Sequence, residues 1–290
     1  MNLKRGWTMH EAIDRAIEAG GVEGVIELLA QARTAEIHYT VKKLVRLNGG
    51  GERALVDEAK GWAARPEPAA RHVACGLLAE SYESEPHKTI ELLVGLVDDD
   101  DWMVREAAGN TSGRILRADF TNGLDLLREW RDHPSANVRR AVLMAVIRAS
   151  QTRRLEWAEP LLKLIEPLLL DRHPTLRRNL GPFALGATLL RHYPEMTFEY
   201  IIKWSTSNDA QVLWNVAMAF SASGGPPLVK KALIILRKLS LDERRYVWRA
   251  VASSMWKLGR KRPEFVRPEL IRWLEDERRV VVAREALKHL

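Results

Sequence analysis

One short pattern returns along this chain and narrows its fold more than any other feature. Val104-Arg105-Glu106-Ala107 is followed by Val138-Arg139-Arg140-Ala141, Leu176-Arg177-Arg178-Asn179, Val212-Leu213-Trp214-Asn215, Val247-Trp248-Arg249-Ala250 and Val282-Ala283-Arg284-Glu285. Successive copies lie 34, 38, 36, 35 and 35 residues apart, and a weaker one begins at Ala70-Arg71-His72-Val73. Each opens an apolar stretch, and most follow an acidic or proline-containing turn such as Asp98 to Asp101, Asp132-His133-Pro134 or Asp171-Arg172-His173-Pro174. Between copies lies a second amphipathic segment, for example Thr121 to Trp130 or Pro227 to Leu236, with apolar residues at steps of three and four. No stretch alternates at period two. Each repeat therefore reads as a pair of helices. One pair cannot bury its own apolar face, so the pairs must stack into an all-α solenoid. The expected organisation is a single domain over 1–290. Residues 1–65 form a helical cap with one degraded repeat, broken at Asn48-Gly49-Gly50-Gly51, and 66–290 carry about six repeats.

Composition excludes several alternatives. The chain has 290 residues, 46% hydrophobic and 29% charged, with one cysteine, so neither an internal disulfide nor a cysteine zinc cluster can form. No 18-residue apolar run is present, and no membrane helix is expected. Met1 to His10 lack the apolar stretch of a secretory signal, so the expected location is the cytoplasm. Charge is uneven. Residues 1–150 hold 20 Lys and Arg against 23 Asp and Glu, a net −3, while 151–290 hold 25 against 15, a net +10. A basic half suits a polyanion, nucleic acid first, and equally suits a merely solubilising surface.

In a stacked array the second helices of successive pairs line one surface, usually the concave one. The residue two beyond each anchor then forms a ladder: His72, Glu106, Arg140, Arg178, Trp214, Arg249, Arg284. Arg139, Arg177, Arg244 and Arg245 flank it. Guanidinium groups repeated along a groove fork two donors each toward phosphate oxygens, which predicts a basic concave face gripping a duplex backbone. An arginine at a fixed repeat position also suits pairing with an aspartate of the neighbouring repeat, for which Asp132, Asp171 and Asp242 are available. Both duties stay open at this level. Of the ten tryptophans, Trp130, Trp157 and Trp204 fall inside apolar periods and are expected in the core. Trp102, Trp214 and Trp248 sit at or beside anchors, where they either face a groove and meet sugar or base, or pack inside.

No nucleophile constellation, HExxH helix or phosphate loop is present, and neither metal nor cofactor is expected. Cys75 lies in an apolar run and reads as a buried small residue. One place departs from the ladder. Trp102 and Glu106, four apart, share a helix face, and Glu106 is a carboxylate where other repeats carry arginine or tryptophan. Cleavage of a C1′–N bond leaves an oxocarbenium-like sugar that a carboxylate stabilises. The competing reading is an ion pair between Glu106 and Arg140.

The runs Asp101 to Glu106 and His133 to Ala141 resemble the HEAT-like repeat glycosylases of DNA alkylation repair, the AlkC and AlkD type, as does the stretch from Leu176 to Glu195. The resemblance covers roughly 70–260 and implies a HEAT-like solenoid. It also implies excision of N3- or N7-alkylated purines from duplex DNA, leaving an abasic site. No lysine stands out as a Schiff-base nucleophile, so a monofunctional enzyme without strand cleavage is expected, and a monomer. Carried over, Glu106 is the catalytic carboxylate, Trp102 an aromatic wall beside the lesion, and Arg140 and Arg178 are backbone clamps. The chain departs from the AlkD type, which has an aspartate at the position of Glu106, and it lacks tandem tryptophans because Asp101 precedes Trp102. The alternative is a non-catalytic scaffold that presents the same groove to DNA or to an acidic protein.

Overall fold

The computed structural model describes residues 8–30, 34–48 and 52–290, without the side chains of 52–54. Apart from Asn48, the expected glycine break therefore lies outside the described residues. Every regular element among the described residues is helical, as the period of the apolar positions predicts. The chain packs as two compact units, residues 1–123 and 124–290. In the first are α1 (Met9–Glu18), α2 (Val22–Leu29), α3 (Thr34–Leu47), α4 (Glu52–Ala63), α5 (Pro68–Ser81), α6 (Pro86–Val97) and α7 (Trp102–Ala118). The division falls inside α8 (Phe120–Arg131). The second unit continues with α9 (Ala136–Ala149), α10 (Ala158–Ile165) and α11 (Pro174–Asn179), then α12 (Leu190–His192), α13 (Pro194–Trp204) and α14 (Ala210–Ala219). It ends with α15 (Val229–Leu239), α16 (Arg245–Gly259), α17 (Pro263–Leu274) and α18 (Val280–Leu287).

The anchors mark the second helix of each pair. Val104, Val138, Leu176, Val212, Val247 and Val282 each sit within the first turn or so of α7, α9, α11, α14, α16 and α18, and all are buried. Trp130, Trp157 and Trp204 are buried too, as expected.

The turns before these helices follow one rule. A side-chain acceptor takes the backbone N–H two residues on. Asp99 does so for Asp101, His133 for Ser135, Asp171 for His173, Ser207 for Asp209, Asp242 for Arg244 and Asp276 for Arg278, at 2.8–3.1 Å. In four of the turns the residue reached then caps the helix: Asp101, Ser135, His173 and Asp209 accept from one or two first-turn N–H groups. Pro174 opens α11, whereas Pro134 lies just outside α9, because Ser135 takes the cap. The acidic run Asp98 to Asp101 is thus largely cap and turn chemistry.

Polar bonds between repeats hold the stack in register. Arg71 reaches Asp99 at 2.6 and 2.9 Å, and Arg139 reaches Asp171 at 2.7 Å. The Thr111 hydroxyl donates to Cys75 O, Ser254 to Ala217 O, and the Asn215 amide to Leu169 O. Each satisfies a group that burial would otherwise strand.

One second helix is unusual. Between α11 and α12, Leu180–Leu189 winds as a π-helix. Pro182 has no N–H for the α-helical ladder, and a wider turn relieves its ring clash. The wide stretch lies hard against α14: a Cβ on Gly186 would stand 2.2 Å from Ala219 O.

Candidate nucleic-acid interface

The second unit carries a shallow groove of about 630 Å3 between α14 and α16. Trp214 and Arg249, both ladder positions, line it together with Arg245, Tyr246, Met218 and Ser253. Arg245, Arg249 and Ser253 recur every four residues, so one face of α16 forms a wall. The floor is rigid. Trp214 stacks on Tyr246 with centroids 5.8 Å apart, and the Arg177 guanidinium lies 5.0 Å from the Tyr246 ring. Tyr246 donates to Gln211 Oε1 at 2.7 Å. Burial raises the Tyr246 hydroxyl above its ordinary value, so it remains a neutral donor.

On first helices of this unit several cations are paired with carboxylates: Lys163 with Glu159, Lys203 with Glu166, Lys231 with Glu195, and Arg237 and Arg272 with Glu269. Exposed Lys230 and Lys238 on α15 are in no ion pair among the described residues. On second helices Arg178, Arg245 and Arg284 are exposed and make no side-chain hydrogen bond or ion pair among the described residues. Arg249 approaches Glu285 only at 3.7 Å. These four arginines keep donors available for a ligand.

Other expected contacts go elsewhere. Arg139 is committed to stacking: beyond Asp171 it bonds the carbonyls of His133 and Pro134, so its donors are used inside the repeat. Arg244 grips Asp242 and Asn208 O and serves the turn before α16. Trp248 is half-buried and does not line the groove, being set about 100° around α16 from Arg249. Arg177 acts through its ring contact. Arg140 lies half-buried on α9. Of the candidate aspartates, Asp171 alone answers an arginine of another repeat, since Asp132 pairs with Arg131 and Asp242 with Arg244. Tyr246 and Gln211 were not singled out in the sequence. Both stand immediately before an anchor, and that shared position is the signal that finds them.

In the first unit Trp102 begins α7 and is 67% exposed, while Glu106, one turn on, is half-buried. His72, the equivalent ladder position on α5, lines a cavity with Asn110 and Arg114.

Comparison with known proteins bears on the fold. A family model of HEAT repeats matches residues 55–148. No curated protein matches the chain. Among solved structures it is similar to YibA of Escherichia coli, at 15% identity over 100% of this chain and 99% of that one, with a TM-score of 0.43. It is similar to smu.31 of Streptococcus mutans UA159, at 15% identity over 96% and 98% with a TM-score of 0.32. A third is a designed armadillo repeat protein in complex with peptide (KR)4, at 15% identity over 81% and 98% with a TM-score of 0.28.

Proposed function

We propose that this HEAT-repeat chain binds duplex DNA through the second-helix face of residues 124–290 and excises cationic alkylated purines from it. The observation that carries the binding is a set of exposed second-helix arginines: Arg178, Arg245 and Arg284 make no side-chain hydrogen bond or ion pair among the described residues, and Arg249 makes only a long contact of 3.7 Å with Glu285. An arginine already paired must give up that partner to hold a phosphate, whereas Arg178, Arg245 and Arg284 lose only water.

The excision rests on the resemblance and on Glu106. N3- and N7-alkylated purines carry a positive charge, so the leaving group needs no acid. The C1′–N bond breaks with its electron pair moving to the ring, and the base leaves neutral. The Glu106 carboxylate stabilises the cationic sugar and takes a proton from the water whose oxygen bonds to C1′. An abasic site remains. Exposed Trp102, on the same side of α7, is the aromatic surface beside the lesion nucleotide. The decisive assay is release of N7-methylguanine and N3-methyladenine from methylated duplex, with identification of the products. An intact protein that binds the duplex and releases neither base rejects the excision and leaves the binding.

A second reading is favoured by the apolar part of the groove, where Trp214 and Met218 join Arg245 and Arg249 in the lining. An acidic peptide with apolar side chains suits that floor. Affinity for such a peptide with none for duplex would establish a scaffold instead.

A further inference from the structure

The groove between α14 and α16 offers more than a phosphate can use. Trp214 and Met218, four apart on α14, share a face there, and α16 supplies Arg245, Tyr246, Arg249 and Ser253. No carboxylate lines the groove among the described residues, so nothing in it draws a cation. Trp214 is half-buried, and its ring lies within 10° of parallel to that of Tyr246. Tyr246 is held in turn by the Arg177 guanidinium and by its bond to Gln211. The Trp214 ring is therefore fixed before a ligand arrives, and it lines the groove with the surface it leaves open. Arg245 and Arg249 are exposed, one turn or about 6 Å apart along the axis of α16. The Ser253 hydroxyl, a turn further on, makes no hydrogen bond among the described residues.

An intact duplex on these arginines leaves the aromatic part unused. Its outer surface is sugar and phosphate, and its bases are paired and stacked within. A base swung out of the stack has a bare face, and its own strand carries a phosphate on either side. We propose that the groove takes one unpaired nucleobase of a DNA strand, stacked on Trp214, with the flanking phosphates on Arg245 and Arg249. A groove of about 630 Å3 accommodates a base with its sugar. Every base has a π face, so stacking of this kind registers the loss of pairing and not the sequence. Unstacking a paired base costs energy that an already unpaired base does not, which makes DNA with interrupted pairing the better ligand. That preference rests on the proposed DNA binding and refines it.

The test compares three DNAs free of alkylated bases at one salt concentration. They are an intact duplex, the same duplex with a single bulged nucleotide, and that bulge without its base. The two bulged DNAs carry equal charge, so the ratio of their affinities isolates the base. Trp214→Leu keeps apolar bulk and removes the stacking face. It should lower the ratio at least about fivefold, on the scale of one lost base–aromatic contact. Trp214→Phe should restore most of it. In the native protein, 2-aminopurine at the bulged position should lose fluorescence on binding, a measurement that needs no variant. A ratio unmoved by Trp214→Leu, once thermal melting shows the variant folded, overturns the proposal. So does bound 2-aminopurine as bright as in the free bulge. The two readings fail separately. Salt-dependent binding of the intact duplex together with either of those results rejects the base site alone. No affinity for any of the three DNAs rejects the DNA binding, and the base site with it.

Discussion

Arg139 and Arg249 look alike in the sequence, each inside a repeat anchor, and the fold gives them opposite work. Arg139 ties two repeats through Asp171 and two carbonyls, whereas Arg249 stands exposed over an aromatic floor. Arg139→Ala should cost roughly 1–3 kcal/mol of stability, read as a lower denaturation midpoint, because it strands partly buried Asp171. Its duplex affinity should hold as long as it is folded. Arg249→Ala should leave the midpoint nearly unchanged and reduce the salt dependence of duplex binding. An exchange of these two outcomes would reverse the assignment. Glu269 supplies a pH dependence. Burial works to raise its carboxyl, but bonds from Arg237 and Trp273, with the charge of Arg272, win and hold it below its ordinary 4.5. A depressed folded value means a contribution that is complete above the unfolded value and lost as pH falls through the folded one. The stability of the native chain should therefore decline below about pH 4.5 more steeply than that of Glu269→Gln, as urea titrations across pH 3–6 will measure.

At the scale of the element, the helix pairs were legible because burial enforces them. An anchor valine or leucine recurs every 34–38 residues, and each such site is a core position, so the period survives changes everywhere else. The turn rule was legible only as an acidic bias, since aspartate, histidine and serine all supply the same acceptor. The groove was half legible. The ladder found Trp214 and Arg249, but nearness to an anchor also nominated Trp248, which lines no groove, because adjacency does not tell which way a side chain points around the helix. The π-helical stretch was not read at all. Its cause, Pro182 inside a helix, is local, but its support is the close approach of α14 at Gly181 and Gly186, which is tertiary. Gly186→Ala should accordingly cost about 3 kcal/mol, since the added Cβ meets backbone oxygen that only a shift of α14 can relieve. An unchanged melting temperature would mean that the two helices are not pressed together there.

For the whole molecule, charge follows the structural division more sharply than it follows the halves of the sequence. Residues 1–123 hold 15 Lys and Arg against 20 Asp and Glu, a net −5, and residues 124–290 hold 30 against 18, a net +12. Net charge alone attracts any polyanion, so it does not distinguish a built interface from a basic surface. Two variants with equal loss of charge make that distinction. In the first, Arg178, Arg245, Arg249 and Arg284 become alanine. In the second, Lys163, Lys203, Lys231 and Arg272, each paired with a glutamate, become alanine instead. Both remove four positive charges. If the second-helix arginines hold phosphates, the first variant releases up to four fewer counterions on binding. The slope of log affinity against log salt should then fall by up to about 3.6, near 0.9 for each phosphate no longer neutralised. The second variant should lower affinity modestly through the weaker general field and change the slope by less than about one, since no counterion is released at a cation that meets no phosphate. Equal losses of slope in the two variants would reduce the binding to bulk charge and remove the groove from the account.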